Sequence, residues 1–143
     1  MSFGTLVENS VYSGGQPSFK EFKNLKAVGY RRIIDLRPSS EGRDFDEKAE
    51  AAREQLDYIV LPIASEQDLT SKNVKRFAEL LAETSAPMTL VHCASSNRVG
   101  AMFALRAAWY HGAAVEAALN VGKMAGLKGL EGAVRTAIAN GAQ

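Results

Sequence analysis

Apolar and polar positions along this chain change period several times, and each change marks an element. Val11-Tyr12-Ser13 reads as a short first strand, closed by Gly14-Gly15-Gln16-Pro17. Ser18, with Glu21 three residues later, forms a capping box, and Phe19, Phe22, Leu25 and Val28 recur at helical spacing until Gly29 stops them. Arg32-Ile33-Ile34-Asp35-Leu36 is a short β-branched strand ended by Pro38. A polar loop over 39–43 leads into an Ala- and Glu-rich helix predicted over about 44–55. Tyr58-Ile59-Val60-Leu61 makes a third strand before Pro62. Thr70 or Ser71 caps a helix whose Val74, Phe77, Leu80 and Leu81 share a face. Met88-Thr89-Leu90-Val91 is a fourth strand, apolar enough to lie centrally. A long apolar helix is predicted over 99–111, and 113–140 reads as two more helices broken around Gly126.

Strands alternating with helices predict an α/β fold: a single domain over 1–143, with a mostly parallel central sheet of about four to five strands flanked by helices. No repeat, low-complexity tract or linker divides the chain. In such sheets the ligand crevice lies beyond the carboxyl ends of the strands. Cys93 stands at that edge, directly after the fourth strand.

Composition narrows the function. Hydrophobic residues make up 46% of the 143, enough for a core without metal or disulfide support. Lys+Arg number 17 against 16 Asp+Glu, so the charge offers no footprint for nucleic acid or an anionic membrane, and an anion site must be local. The longest apolar run is interrupted by Arg106 and is too short to span a bilayer. No basic region followed by an apolar one opens the chain, and its one cysteine cannot form an internal disulfide. These features set the expectation of a cytoplasmic protein with no membrane and no nucleic-acid partner.

The chemistry gathers in His92-Cys93-Ala94-Ser95-Ser96-Asn97-Arg98. Backbone N–H groups of a tight loop entering a helix form an anion cradle, and the helix terminus adds about half a positive charge. Free thiols ionise near pH about 8.5, and helix N-termini and nearby cations lower that value. Arg98 offers a planar fork matched to two phosphate oxygens. A thiolate below and a fork above suit in-line attack on a phosphoryl group. An inert buried cysteine and a solvated arginine are the bland alternative. The small polar residues filling the loop, and Gly100 allowing close helix packing, favour the reactive one.

His92-Cys93-Ala94-Ser95-Ser96-Asn97-Arg98-Val99-Gly100 resembles the signature of a bacterial phosphatase-like family related to dual-specificity and tyrosine phosphatases. That family also occurs as a domain of beta-lactamase-hydrolase-like proteins. Tyr12-Ser13-Gly14-Gly15-Gln16-Pro17 and Gly29-Tyr30-Arg31-Arg32-Ile33-Ile34-Asp35-Leu36-Arg37-Pro38 match the family's opening in order and spacing. The resemblance implies hydrolysis of phosphomonoesters, protein phosphotyrosine or phosphoserine among them, through a phosphocysteine on Cys93. Phosphate would be bound by Ala94, Ser95, Ser96, Asn97 and Arg98. The chain departs from the pattern in three ways. Four residues separate Cys93 from Arg98 where tyrosine phosphatases place five; the shorter loop is typical of rhodanese-like sulfurtransferases, although the bacterial family also has members with it. Val99 replaces the Ser or Thr that helps the thiolate leave, and Ser96 stands where the bacterial family usually has Gly. Slow turnover of the phosphocysteine is the expected consequence.

A leaving oxygen needs a proton. Phosphatases supply it from a loop after another strand, and Ile63-Ala64-Ser65-Glu66-Gln67-Asp68 occupies that place. Asp68 is the first candidate acid and Glu66 the second, although a carboxylate ahead of a helix also favours the helix dipole. Asp35 and Arg37 close the second strand. The resemblance gives Arg37 a structural or rim role, with Glu41 as a candidate partner, and a surface ion pair is the alternative. His92, one residue before the nucleophile, is expected to point away from the loop interior and steady it by hydrogen bonding. His111 before Gly112 reads as a helix cap. No His, Cys, Asp and Glu cluster shows metal-ligand spacing, so neither metal nor cofactor is expected. Sulfur transfer through a Cys93 persulfide, and phosphate binding with little turnover, are the competing readings. The Gly-His-Ile segment of a rhodanese is absent, and Gly-Gln-Pro is not a rhodanese feature.

Overall fold

Ile33, Ile34, Leu90 and Val91 are all fully buried, as strands covered on both faces require. The computed structural model describes residues 3–82 and 87–142, so the ends of the 1–143 assignment and residues 83–86 lie outside the described residues. Five strands, β1 (Thr5–Glu8), β2 (Val11–Gly14), β3 (Arg32–Asp35), β4 (Asp57–Val60) and β5 (Thr89–His92), form one sheet in the order β1-β2-β5-β3-β4. The helices are α1 (Phe19–Val28), α2 (Glu47–Arg53), α3 (Ser71–Leu81), α4 (Asn97–Tyr110), α5 (Val115–Met124) and α6 (Glu131–Asn140).

β5 is central and parallel to both neighbours, β2 and β3, while β1 adds to the edge antiparallel to β2. Sequence reading missed β1. Its residues are exposed or half-exposed, so it lacks a buried face to announce it. Alternate strand residues feed two cores. Ile33 and Leu90 pack with Phe22 and Leu25 of α1 and Ala51 of α2. Ile34 and Val91 pack with Phe77 of α3 and with Met102 and Phe103 of α4. Phe77 and Phe103 meet edge to face at 5.1 Å.

The capping box at Ser18 and Glu21 is present, with Gly29 ending α1. Thr70, not Ser71, caps α3. Two helices need correction. The one expected from about 44 begins at Glu47, because the Asp46 carboxylate accepts the Ala49 N–H and sets the start there. It stops at Arg53, and Gln55 turns left-handed at φ 59°. The helix expected from 99 begins two residues earlier, at Asn97, which places Arg98 within its first turn.

Candidate active site

β5 delivers Cys93 to the carboxyl edge of the sheet, where it is fully buried. The turn after β2 braces the following loop: Gly15 pairs with Ser95, and the Gln16 N–H donates to the Ala94 carbonyl at 3.0 Å. Ser96 then swings into the left-handed region at φ 71° and starts α4. For a non-glycine residue this geometry costs about 1–2 kcal/mol, which explains why glycine suits the position. No side chain caps α4. Among the described residues, the N–H groups of Ala94, Ser95, Asn97, Arg98 and Val99 meet no hydrogen-bond acceptor. Open donors at a helix start make an anion-binding concavity.

Arg98 is held from outside. Its Nη1 and Nη2 donate to the two Glu41 oxygens at 2.8 and 2.9 Å, and Nη1 also donates to the Ile63 carbonyl at 2.9 Å. Three of the five guanidinium N–H groups are thus occupied, leaving Nε–H and one Nη2–H for a ligand. The Glu41 hydrogen bonds, and then the Cys93 sulfur, raise Arg98 above its ordinary value. Reciprocally, Arg98 holds Glu41 below the usual carboxylate range. Glu41 is therefore an anchor and a poor proton donor. The expectation that Glu41 would partner Arg37 is corrected, since Glu41 reaches across to the loop arginine.

Behind the loop lies a buried charge network. Arg37 binds Asp35 through Nε and Nη2 at 3.0 and 2.9 Å and Glu47 at 3.0 Å, so it is neither a rim residue nor a surface ion pair. Arg43 Nη1 donates to Asp35 at 3.0 Å, and the Tyr58 hydroxyl donates at 2.5 Å. Burial pushes the Asp35 carboxyl up, but hydrogen bonds from Arg37, the nearby His92 and Tyr58 together hold it down at about 2. Burial and the Asp35 carboxylate raise Tyr58. His92 is fully buried and turned away from the loop interior: Nε2 lies 2.5 Å from Glu47 and Nδ1 lies 3.3 Å from the Cys93 carbonyl. Asp35, Glu47 and His92 bring one ligand atom each within 4.8 Å of one another, a cluster that sequence spacing does not reveal. The Asp35 and Glu47 oxygens are already engaged by Arg37, Arg43, Tyr58 and Gln16, a donor set that competes with any cation.

The loop after β4 reaches the site at Ile63. Asp68 Oδ2 accepts the Ala64 N–H at 2.7 Å and closes this loop into a turn. Glu66 is exposed and lines a groove of about 710 Å3 with Leu69, Trp109 and Thr136; Cys93 is not among its walls. Sequence reasoning missed Glu47, Glu41's true partner and the whole segment 125–130. That segment backs the loop: Ser13 Oγ donates to the Ala125 carbonyl, and Asn97 Oδ1 accepts the Lys128 N–H at 2.8 Å. Gly100 and Gly126 permit the approach. A Cβ on Gly100 would stand 2.2 Å from Leu127 N, and one on Gly126 would stand 2.4 Å from the Ser96 Cβ. Gly126 near a helix break was the one legible hint of this contact.

Comparison with known proteins agrees with this arrangement. Beta-lactamase hydrolase-like protein of Xylella fastidiosa is 38% identical over 96 residues, covering 64% of this chain but 22% of that protein. A DUF442 structure from Shewanella putrefaciens superposes with a TM-score of 0.71 at 20% identity, covering 98% of this chain and 93% of its own. A phosphatase candidate of Neisseria meningitidis reaches 0.75 at 16% identity, over 92% and 96%. At those identities the structures establish the fold. No helix among the described residues is long and apolar enough to cross a membrane. The family model for DSP-PTPase phosphatases fused to NAD+ kinase matches residues 2–137, and with the braced Cys93–Arg98 loop this places the chain in the DSP-PTPase-like phosphatase family.

Proposed function

We propose that the chain hydrolyses phosphomonoesters through a phosphocysteine on Cys93. What supports the reading is that five backbone N–H groups of the loop directly after Cys93, and two Arg98 donors, are left open for a ligand. Ala94, Ser95, Ser96, Asn97 and Arg98 would hold the phosphoryl oxygens. The Cys93 thiolate attacks phosphorus, the S–P bond forms, and the ester P–O bond breaks. The leaving oxygen takes a proton from Asp68, which must release the Ala64 N–H to do so. Water then attacks phosphorus, the S–P bond breaks, and orthophosphate leaves with the thiolate restored. His92, Asp35 and Arg37 support the loop from behind, and Glu66 is the second candidate acid. The substrate is a phosphorylated protein or small molecule, and the dual-specificity type belongs to this reading. A thiolate nucleophile needs a reducing compartment, which favours the cytoplasm.

The six-residue loop and Val99 favour a second reading, in which the sulfane sulfur of thiosulfate passes to Cys93 as a persulfide and sulfite leaves. A side-by-side assay with para-nitrophenyl phosphate and with thiosulfate plus cyanide separates the two. Nitrophenol release abolished by Cys93→Ser supports the phosphatase; thiocyanate without nitrophenol refutes it. Asp68→Asn should lower kcat about 10²-fold on an alkyl phosphate, the lower range for general acids, and far less on para-nitrophenyl phosphate, whose leaving group needs no proton. Equal rates of Asp68→Asn and wild type on both would remove Asp68 from the mechanism.

A further inference from the structure

The segment 125–130 is more than a backing for the loop. Three tethers fix it against residues 96–100, namely the Ser96–Gly126 contact, the Gly100–Leu127 contact, and Asn97 Oδ1, which accepts the N–H groups of both Lys128 and Leu130 at 2.8 and 3.3 Å, and the Ser13–Ala125 hydrogen bond ties it to β2. The backbone of Lys128 is thereby pinned one hydrogen bond from the residue that opens α4. Its side chain is exposed on a flexible four-carbon stem. Neighbouring cations are spent: Lys123 pairs with Glu131 at 3.3 Å, and Arg135 pairs with Glu116 and Glu131. Lys128 has no acidic partner among the described residues.

Charge accounting gives this lysine its meaning. Arg98 is the cation of the loop, but Glu41 is bonded to the same guanidinium and cancels its charge at long range. A phosphoryl group seated in the loop would be bound by N–H dipoles and two guanidinium donors, with little net charge to draw it in. Lys128 carries a positive charge with no acidic partner among the described residues, on a backbone bonded directly to Asn97 of the loop. We propose that Lys128 is a specificity-determining residue that binds a second phosphoryl group of the substrate. On the phosphatase reading, the preferred substrate class is then a small organic bisphosphate, not a singly phosphorylated one.

The test compares phosphate release from propyl phosphate and from 1,3-propanediol bisphosphate by wild type, Lys128→Ala and Lys128→Glu. A partly screened ion pair is worth about a fivefold preference, so kcat/KM of wild type should favour the bisphosphate by about that factor, through KM. Lys128→Ala should erase the preference and leave propyl phosphate within about twofold of wild type, and Lys128→Glu should reverse it. Raising salt should shrink the wild-type preference toward that of Lys128→Ala. Equal losses on both substrates, or none on either, overturn the proposal. A binding arm keeps it separate from the catalytic reading: Cys93→Ser is titrated with inorganic phosphate and with methylene diphosphonate, with and without Lys128→Ala. If wild type turns over neither ester, the phosphatase reading fails. A diphosphonate preference that disappears with Lys128→Ala still upholds the second subsite, and an unchanged ratio refutes it.

Discussion

Replacing Glu41 by alanine should slow this site while improving its hold on free phosphate. Glu41 supplies two of the three bonds that fix the Arg98 guanidinium, at 2.8 and 2.9 Å; the third goes to the Ile63 carbonyl. An arginine side chain carries about 2 kcal/mol of rotamer entropy. Pinned at Ile63 alone, Arg98 regains about half of that freedom, so orienting it again in the transition state costs about 1 kcal/mol, or about fivefold in kcat/KM. The opposite effect comes from charge. The Glu41 carboxylate shares its guanidinium with an incoming dianion and repels it; for side chains 14% and 30% exposed, solvent limits this to about 0.2–1 kcal/mol. Inhibition by inorganic phosphate should therefore tighten by up to about fivefold in Glu41→Ala. Glu41→Gln keeps one acceptor and loses the charge, so its binding should tighten with a smaller loss of rate. Steady-state nitrophenol release, with phosphate as inhibitor, reads both numbers. A Glu41→Ala protein with unchanged kcat/KM, or one that binds phosphate more weakly, would refute the anchoring argument.

Two further outcomes test the scaffold. Asp35 is held at about 2 against an ordinary 3.8; a lowered carboxyl stabilises the fold above the ordinary value, and that stability is lost as pH falls through the folded one. Urea titrations should accordingly show about 2 kcal/mol lost between about pH 4 and pH 2, and Asp35→Asn should flatten that slope while costing about 3–5 kcal/mol at neutral pH by stranding Arg37 and Arg43. Gly126 adopts φ 114°, and an added Cβ would lie 2.4 Å from the Ser96 Cβ, so Gly126→Ala should cost about 2–3 kcal/mol and weaken phosphate binding together. An unchanged Tm in Gly126→Ala would contradict the close approach.

What was legible in the sequence was local. His92 to Gly100 spells out a strand end, an anion loop and a helix start within nine residues, and Ser18 with Glu21 marks its own helix. Partners distant in the chain were not legible. Glu47 reads as one acid in an Ala- and Glu-rich helix, and becomes distinctive only when folding buries it against His92, 45 residues away. Glu41 sits in a polar loop, and its bond to Arg98 crosses 57 residues. β1 was hidden for a different reason: an edge strand with exposed side chains carries neither a clean alternation nor an apolar run.

The packing of Gly100 and Gly126 also imposes an order of assembly. Ser96, in its left-handed turn, rests on a segment synthesised some thirty residues later, so the loop that carries Cys93 leaves the ribosome before its support exists. The parallel pairing of β5 between β2 and β3 can form by then, because all of its strands have already been made. A nascent chain ending near Tyr110 is thus expected to hold a formed sheet and a slack loop. Maturation of the thiol site becomes a discrete last event, governed by docking of the α5–α6 hairpin and separable in time from formation of the sheet.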